Sequence, residues 1–198
     1  MPSSPPRRFA DLRSVRVGIF GLGAEGRASR ERLEALGVDP LVVDDRLDAP
    51  GVQRTGAGGL DALHRCEVVV KAPGISRYRD DVVGLEQSGV EVVGGLGLWL
   101  EEHGPDDVVG VTGTKGKSTT ANLAGHLARG LGRRPFVGGN IGRPPFAADV
   151  DVDAHDLWII EVSSYQATDL WSSPAVAAVT SLHEDHLDWH GSVERYYS

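Results

Sequence analysis

A segment near the middle of the chain carries the residue types that bind polyphosphates. Residues 108–120 read VVGVTGTKGKSTT, in which a hydrophobic run leads into a glycine-rich turn and then into Lys117 and Ser118. Backbone amides of such a turn and of the helix that follows surround phosphate oxygens, and a lysine adds positive charge. Val111 stands where the strict G-x-x-x-x-G-K-[ST] pattern has its first glycine. We predict a nucleotide-binding loop in which Lys117 contacts the β- and γ-phosphates and Ser118 offers its hydroxyl to magnesium.

A second glycine-rich segment lies near the start of the chain. Residues 21–26 read GLGAEG and follow the hydrophobic run 15–20, while Asp44 and Asp45 end the next hydrophobic run. Glycines at such a turn let the backbone approach a diphosphate. The pattern alone is weakly specific, and a tight turn without a ligand is the alternative. No recognisable substrate domain for hydride transfer follows, so we expect the loop to hold a diphosphate other than a dinucleotide.

Short apolar runs alternate with helical patterns along the chain. Runs rich in Val and Ile predict strands over residues 15–20, 40–44, 67–70, 91–93, 108–112, 157–162 and 175–180. Apolar residues three and four positions apart predict helices over residues 24–36 and 117–131. This alternation predicts an α/β fold with parallel sheets, in which ligands bind at the carboxyl ends of the strands.

A polar stretch separates the two glycine-rich segments. Residues 101–107 read EEHGPDD, and a new hydrophobic run begins at Val108. We therefore predict one domain over residues 1–104 and a second over residues 105–198. The second has its own nucleotide loop, and the chain ends inside a helical pattern that Ser192 opens. We expect this second domain to be truncated.

Composition excludes several classes of protein. The 198 residues carry a formal net charge of −8 and are 40% hydrophobic, as in a globular protein with a core. No apolar run reaches the roughly 20 residues that span a bilayer, and the start, MPSSPPRRF, lacks the apolar stretch of a secretory signal. The single cysteine, Cys66, excludes an internal disulfide and a cysteine-based metal site. We expect a cytoplasmic protein that binds neither membranes nor nucleic acid.

Five segments, taken in order, resemble the Mur ligase family. They are residues 21–23, 72–75 (APGI), 112–120, 138–142 (GGNIG), and 161–166 (EVSSYQ) with 185–188 (DHLD). The ATP loop and GGNIG are specific, whereas the first loop is not. The resemblance implies a Rossmann-like parallel-sheet domain that binds UDP, followed by a P-loop NTPase-like central domain that binds ATP and Mg²⁺. It also implies a third, C-terminal domain, whose residues we expect to lie outside this chain.

The resemblance implies roles for individual residues. Nucleotide binding is implied for Gly113, Thr114, Lys115, Gly116, Lys117, Ser118, Thr119 and Asn140. Catalytic roles are implied for Lys117, Glu161 and His186, and magnesium binding for Ser118, Glu161 and His186. Substrate contacts are implied for Gly21, Gly23, Ala24, Glu25, Asp45, Arg46, Ser163 and Gln166. Taken singly, Glu161 would be a capping or solvated carboxylate and His186 a surface or packed histidine, so both roles depend on the resemblance.

The implied reaction is ATP-dependent amide-bond formation. The alanyl carboxylate of UDP-N-acetylmuramoyl-L-alanine attacks the γ-phosphorus to give an acyl phosphate and ADP, and the amine of glutamate then displaces phosphate. Family members carry a carbamylated lysine a few residues past the DHLD segment. The sequence ends at residue 198, just short of the position expected for this lysine. We therefore expect this chain to be inactive alone. The protein is expected to be a monomer.

Several departures from the family pattern concern the amino acid that is added. Lys115 and Ser181 stand where family members usually have Asn, and Gly95 and Gly97 replace a common acidic pair. Together with the DWHGS sequence at residues 188–192, these departures favour a branch that adds L-glutamate rather than D-glutamate.

Other functions fit parts of the sequence. A dinucleotide-binding oxidoreductase built on residues 21–26 would bind a nicotinamide cofactor and be indifferent to changes at Lys117. A nucleotide-binding module without turnover would bind ATP or a UDP-sugar only. Folylpolyglutamate synthetases share the central ATP domain but lack the preceding UDP-binding domain, so residues 21–93 argue against them.

Overall fold

The computed structural model describes residues 7–197. The first sheet and its helices comprise β1 (Val17–Phe20), α1 (Ala24–Ala35), β2 (Leu41–Asp44), β3 (Val52–Arg54), α2 (Gly59–Leu63), β4 (Val68–Lys71), α3 (Asp80–Gln87), β5 (Glu91–Gly94) and α4 (Gly95–His103). The second comprises β6 (Val108–Thr112), α5 (Lys117–Gly130), β7 (Pro135–Gly139), β8 (Leu157–Glu161), α6 (Ser164–Ala167), β9 (Val176–Val179), α7 (Leu187–His190) and α8 (Val193–Tyr197). Short 3-10 helices cover Phe9–Ser14, Thr55–Ala57 and Val152–Ala154.

The strands form two sheets in which every pairing is parallel. The first has the order β3-β2-β1-β4-β5, and the second has the order β7-β8-β6-β9. In the second sheet, Val111 of β6 pairs with Glu161 of β8 and with Ala178 of β9. The predicted parallel α/β fold is confirmed. Loops after β1 and β4 meet at one edge of the first sheet, and loops after β6, β8 and β9 meet at one edge of the second.

Helix α4 lies in the apolar core that the two sheets share. Its buried residues include Leu96, Leu98, Trp99 and Leu100. The Trp99 ring centroid lies 5.3 Å from that of Trp158 in β8, and the same apolar cluster includes Ile19 and Val70 of the first sheet. The first six residues of α4, 95–100, are all buried, as is typical of a helical segment covered on all sides. The core is therefore continuous from the first sheet to the second.

The predicted strands are all present, with ends that differ by one or two residues. Sequence analysis missed β3 and β7. Strand β3 lies at a sheet edge, and its exposed Gln53 and Arg54 interrupt any apolar run, whereas β7 begins at a proline and ends on two glycines. It also missed α2, α3, α4, α6 and α7. Residues 95–100 of α4 are all buried, so this part of the helix has no polar face to give a helical period.

Residue 104 lies between α4 and β6, and the domain boundary there remains a prediction. Within residues 7–197, no helix is both long enough and apolar enough to cross a bilayer.

Candidate active site

The predicted nucleotide-binding loop connects β6 to α5. Gly113 has φ +132°, and a Cβ placed on it would lie 2.5 Å from the Thr180 hydroxyl oxygen and 2.7 Å from the Ser181 carbonyl oxygen. Gly116 also has a positive φ, +88°. Position 113 therefore requires glycine because of its backbone conformation and because there is no space for a Cβ. Position 116 requires glycine because of its backbone conformation.

Residues after β9 hold this loop in place. The Thr114 amide donates to the Ser181 carbonyl at 2.9 Å, and the Lys115 amide donates to the Ser181 hydroxyl at 2.9 Å. The Thr180 hydroxyl donates to the Lys115 carbonyl at 2.7 Å. These contacts follow from the parallel pairing of β6 with β9, which brings the two strand ends together. Sequence analysis noted Ser181 as a departure from the family and gave no signal for Thr180.

The two lysines of the loop have different surroundings. Lys117 Nζ donates to the Gly113 carbonyl at 2.7 Å and lies 3.3 Å from the Thr114 carbonyl, within the turn. The side chain of Lys115 is 82% exposed, and its Nζ lies 3.9 Å from an oxygen of Asp185. Lys117 therefore lies where a phosphate chain would pass, whereas Lys115 points away from the turn toward solvent.

Glu161 is buried at the carboxyl end of β8, with 1% of the residue exposed. The Ser118 hydroxyl donates to its Oε2 at 2.6 Å, and the Asn140 amide Nδ2 donates to its Oε1 at 2.7 Å. Gly139 permits this approach, because its φ is +103° and a Cβ there would lie 2.4 Å from the Glu161 carbonyl oxygen. The structure thus brings together three residues that sequence analysis assigned to the nucleotide and its metal.

The donor set of this cluster fits a magnesium ion. A hydroxyl and a carboxylate are the hard oxygen ligands that Mg²⁺ prefers, and Mg²⁺ is usually completed by phosphate oxygens and water. Within residues 7–197, no group of three or more His, Cys, Asp or Glu side chains is close enough to hold a metal ion by itself. Ser118 and Glu161 would therefore hold the ion together with a nucleotide rather than as a protein cage.

His186 is the residue directly before α7. Its backbone has the left-handed conformation, with φ 50°. Its ring centroid is 5.0 Å from that of Tyr165, and its Nε2 is 3.8 Å from an oxygen of Asp185. No hydrogen bond or ion pair links His186 to Ser118 or Glu161 in the part of the chain that the structure describes. Of the three predicted metal ligands, the structure therefore brings Ser118 and Glu161 into contact and does not link His186 to them.

One cavity of about 610 Å³ lies against the nucleotide-binding loop. Its walls include the predicted site residues Gly113, Thr114, Lys117, Asn140, Ser163 and His186. They also include Arg77, Tyr78, Tyr165 and His190, which sequence analysis did not assign to a site. His190 Nε2 lies 3.0 Å from the Ser164 hydroxyl, and burial, with a smaller effect of His186, lowers the pKa of His190. No local pattern distinguishes these additional residues from ordinary loop residues.

A second cavity of about 460 Å³ lies at the carboxyl edge of the first sheet. Its walls include the predicted substrate residues Gly21, Gly23, Ala24, Glu25, Asp45 and Arg46. The lining is completed by Asp44, residues 72–75, Gly139, Asn140, Gly142 and Pro144. Asn140 lines both cavities, so the two cavities adjoin at this residue.

Two neighbouring carboxylates shape the second cavity. Asp44 accepts hydrogen bonds from the amides of Leu22, Arg46 and Leu47. Burial raises the pKa of Asp44, but these amides together outweigh it and lower the pKa below its usual value. Asp45 pairs with Arg79 at 2.6 and 3.0 Å, and the hydrogen bonds from Arg79 lower the pKa of Asp45. Asp44 therefore links the loop after β1 to the end of β2 as an anion, and Asp45 pairs with Arg79. Arg46 is an exposed residue of the cavity wall.

Gln166 and Glu25 form a buried pair between the two sheets. Gln166 is 3% exposed and lines neither cavity; its amide Nε2 donates to Glu25, and its Oε1 accepts from the Ser163 amide at 2.7 Å. Burial raises the pKa of Glu25 to about 7, and its Oε2 has no hydrogen-bond partner within the described residues. The predicted substrate contact of Gln166 is thus placed behind Ser163 and Glu25 rather than at a cavity wall.

Known proteins match the chain in sequence. Residues 111–198 match the Mur ligase middle domain. Relatives called UDP-N-acetylmuramoyl-L-alanine--L-glutamate ligase, from Micromonospora sp. and Salinispora tropica, are 41% and 40% identical over 204 residues. Each match includes 96% of this chain and 44% of the relative. The chain therefore spans less than half the length of the curated relatives it matches.

A solved structure has a similar fold. The UDP-N-acetylmuramate:L-alanyl-gamma-D-glutamyl-meso-diaminopimelate ligase from Neisseria meningitides superposes with a TM-score of 0.52 and 23% identity, covering 92% of this chain and 65% of that one. An identity this low supports the fold alone. The sequence matches, the two parallel sheets and the loop between β6 and α5 agree, and the chain belongs to the Mur ligase family.

Proposed function

We propose that this chain supplies the UDP-sugar-binding and ATP-binding parts of a ligase that joins glutamate to UDP-N-acetylmuramoyl-L-alanine through an acyl phosphate. The curated relatives are named for that substrate and for L-glutamate, which we propose as the amino acid added. In this proposal, residues 1–104 bind the UDP-sugar and residues 105–198 bind ATP.

The observation that carries the proposal is the junction of the two cavities at Asn140. Each cavity is lined by one of the two glycine-rich loops, so each offers backbone amides suited to phosphate oxygens. A ligase of this kind must hold a diphosphate and a triphosphate so that the far end of one meets the γ-phosphate of the other. Two adjoining phosphate sites provide that arrangement.

In the first cavity, the chain supplies charge and fixed ligands. Lys117, within the turn, neutralises negative charge on the transferring phosphoryl group. Ser118 and Glu161 would hold magnesium, and Asn140 holds the Glu161 carboxylate in orientation. His186, which lines the first cavity, would be the third protein ligand. When bound, ATP with Mg²⁺ supplies the phosphoryl group and polarises it for attack. Ser163 lies in the wall where the substrate carboxylate would arrive.

In the second cavity, the loop after β1 faces the diphosphate. The backbone at Gly21, Gly23 and Ala24 approaches phosphate oxygens at the start of α1, where the helix dipole also favours an anion. The guanidinium of Arg46 offers paired donors that suit a phosphate. Asp44, which accepts from the Leu22 amide, keeps this loop in position. Asp45 pairs with Arg79 beside it.

Titration calorimetry with two variants tests the assignment of the cavities. Lys117→Ala is expected to lose ATP binding and to retain UDP-N-acetylmuramoyl-L-alanine binding, whereas Arg46→Ala is expected to do the reverse. Arg129→Ala, at an exposed position of α5 that lines neither cavity, is the matched control. Loss of UDP-sugar binding in Lys117→Ala would contradict the division of ligands between the two cavities.

The same preparation discriminates the alternatives. An oxidoreductase would bind a nicotinamide cofactor, and Lys117→Ala would leave that binding unchanged. A nucleotide-binding module would bind ATP and release no phosphate in any form of the protein. Phosphate release by the full-length protein, given UDP-N-acetylmuramoyl-L-alanine and each glutamate enantiomer in turn, tests turnover and identifies the enantiomer.

A further inference from the structure

The backbone of His186 depends on its surroundings. His186 is the only residue other than glycine with a positive φ within residues 7–197. A histidine keeps such a conformation where neighbouring structure determines it. The helix that it precedes, α7, has four residues, too few for a helix to be stable by itself in water. Contacts made by α7 therefore decide where the His186 imidazole lies.

Trp189 joins α7 to the loop after β4. Its indole Nε1 donates to the Pro73 carbonyl at 3.1 Å, and its own carbonyl accepts from the Ser76 hydroxyl at 2.6 Å. Pro73 and Ser76 follow a strand of the first sheet, whereas Trp189 follows the last strand of the second. With 7% of its surface exposed, Trp189 is buried in this junction. Two hydrogen bonds thus connect segments that are more than a hundred residues apart.

Two other side chains hold the indole ring. Tyr165 stacks on Trp189 with ring centroids 4.4 Å apart and an angle of 11° between the planes, and it also contacts the His186 ring. Lys71 Nζ lies 5.7 Å from the centroid of the indole ring, within the range of a cation–π interaction. Lys71 is itself held by an ion pair with Asp169 at 2.8 Å. The orientation of Trp189 is therefore defined by a residue of β4 in the first sheet and by a residue of α6, which follows β8 of the second.

We propose that Trp189 is a positioning residue that couples the two cavities. It ties the segment that carries His186, in the wall of the first cavity, to the loop of Pro73, in the wall of the second. A ligand that orders the Pro73 loop stabilises the position of His186, and a ligand bound by His186 stabilises the loop. Because coupling between sites is reciprocal, each ligand strengthens the binding of the other. For the identity of the ligands, this inference rests on the proposed function.

Hydrogen exchange in the chain without ligands tests the positioning role. The amides of Trp189 and His190 donate to the His186 carbonyl, and that of Gly191 donates to the Leu187 carbonyl. Trp189→Phe keeps the stacked ring and removes the Nε1 donor, so we expect these amides to exchange about fivefold faster, as for one lost hydrogen bond.

A second variant and a control complete the exchange experiment. Ser76→Ala removes the other hydrogen bond to Trp189 and is expected to give a similar acceleration, and it decides the question if Trp189→Phe does not fold. Trp99 is a buried tryptophan that lines neither of the two cavities, so the control variant Trp99→Phe should leave amide exchange at residues 189–191 unchanged. Unchanged exchange in Ser76→Ala and in folded Trp189→Phe overturns the proposal.

Calorimetry tests the coupling. The affinity for UDP-N-acetylmuramoyl-L-alanine is measured with and without a non-hydrolysable ATP analogue and Mg²⁺. We expect the parent to bind the sugar at least about fivefold more tightly with the analogue, and Trp189→Phe to lose this difference while each separate affinity stays within about twofold. Equal coupling in Trp189→Phe, or no coupling in the parent, overturns the proposal. If the parent binds neither ligand, the proposed function fails, and the exchange result alone decides whether Trp189 positions His186.

Discussion

Replacing Lys71 with methionine removes a buried charge at nearly constant side-chain volume. Lys71 Nζ pairs with Asp169 at 2.8 Å and donates to the Ile75 carbonyl at 3.0 Å, and the two charged side chains are 0% and 3% exposed. Removing one partner of a buried ion pair costs about 3–5 kcal/mol, because the other charge stays buried. Arg77, 3.1 Å from the second carboxylate oxygen of Asp169, remains as a partner. We therefore expect the free energy of unfolding to fall by about 3 kcal/mol, near the lower end of this range.

Urea and thermal unfolding measure this loss. About 3 kcal/mol corresponds to a fall in Tm of roughly 6–12 °C for a chain of this size. Lys115→Met is the matched control, because the Lys115 side chain is 82% exposed, and it should change stability by less than about 0.5 kcal/mol. The double variant Lys71→Met/Asp169→Asn, which removes both charges, should recover about half of the loss. A loss below about 1 kcal/mol in Lys71→Met, or no recovery in the double variant, would refute the buried ion pair as the cause.

Three further predictions concern single positions. Gly26→Ala should destabilise the chain by about 1–3 kcal/mol in urea unfolding, because the new Cβ would lie 2.0 Å from the Gly21 carbonyl oxygen, whereas Gly23→Ala, with no atom within 4 Å, should fold normally. Burial raises the pKa of Glu25 from 4.5 to about 7. The contribution of this carboxyl group to the free energy of unfolding is therefore complete below pH 4.5 and is lost as the pH rises through 7, a total of about 3 kcal/mol. Glu25→Gln should remove that slope, and equal slopes between pH 5 and 7.5 in both proteins would contradict burial of the carboxyl group. Glu161→Gln should slow phosphate release by the full-length ligase about 100-fold, with unchanged UDP-sugar affinity by calorimetry.

Local residue patterns in the sequence predicted both glycine-rich loops and the strands before them. Hydrophobic runs indicate burial, and Gly113 and Gly116 have backbone conformations that other residues rarely adopt. Each of these patterns lies within a few neighbouring positions, so a single sequence is enough to detect it. The strand predicted over residues 157–162 is confirmed, and it ends at Glu161. The roles of these residues toward ligands remain predictions.

Long-range contacts were decided by the tertiary structure alone. Glu161 meets Ser118 and Asn140 across 43 and 21 positions, and Trp189 meets Pro73 across 116. The amide of Gln166, for which the resemblance implies a substrate contact, donates to Glu25 across 141 positions. Pairings of this kind leave no period in a single sequence, because they depend on how sheets and loops pack rather than on local backbone preference. The sequence by itself therefore determined where the two glycine-rich loops lie, and only the packing of the two sheets placed the two cavities side by side.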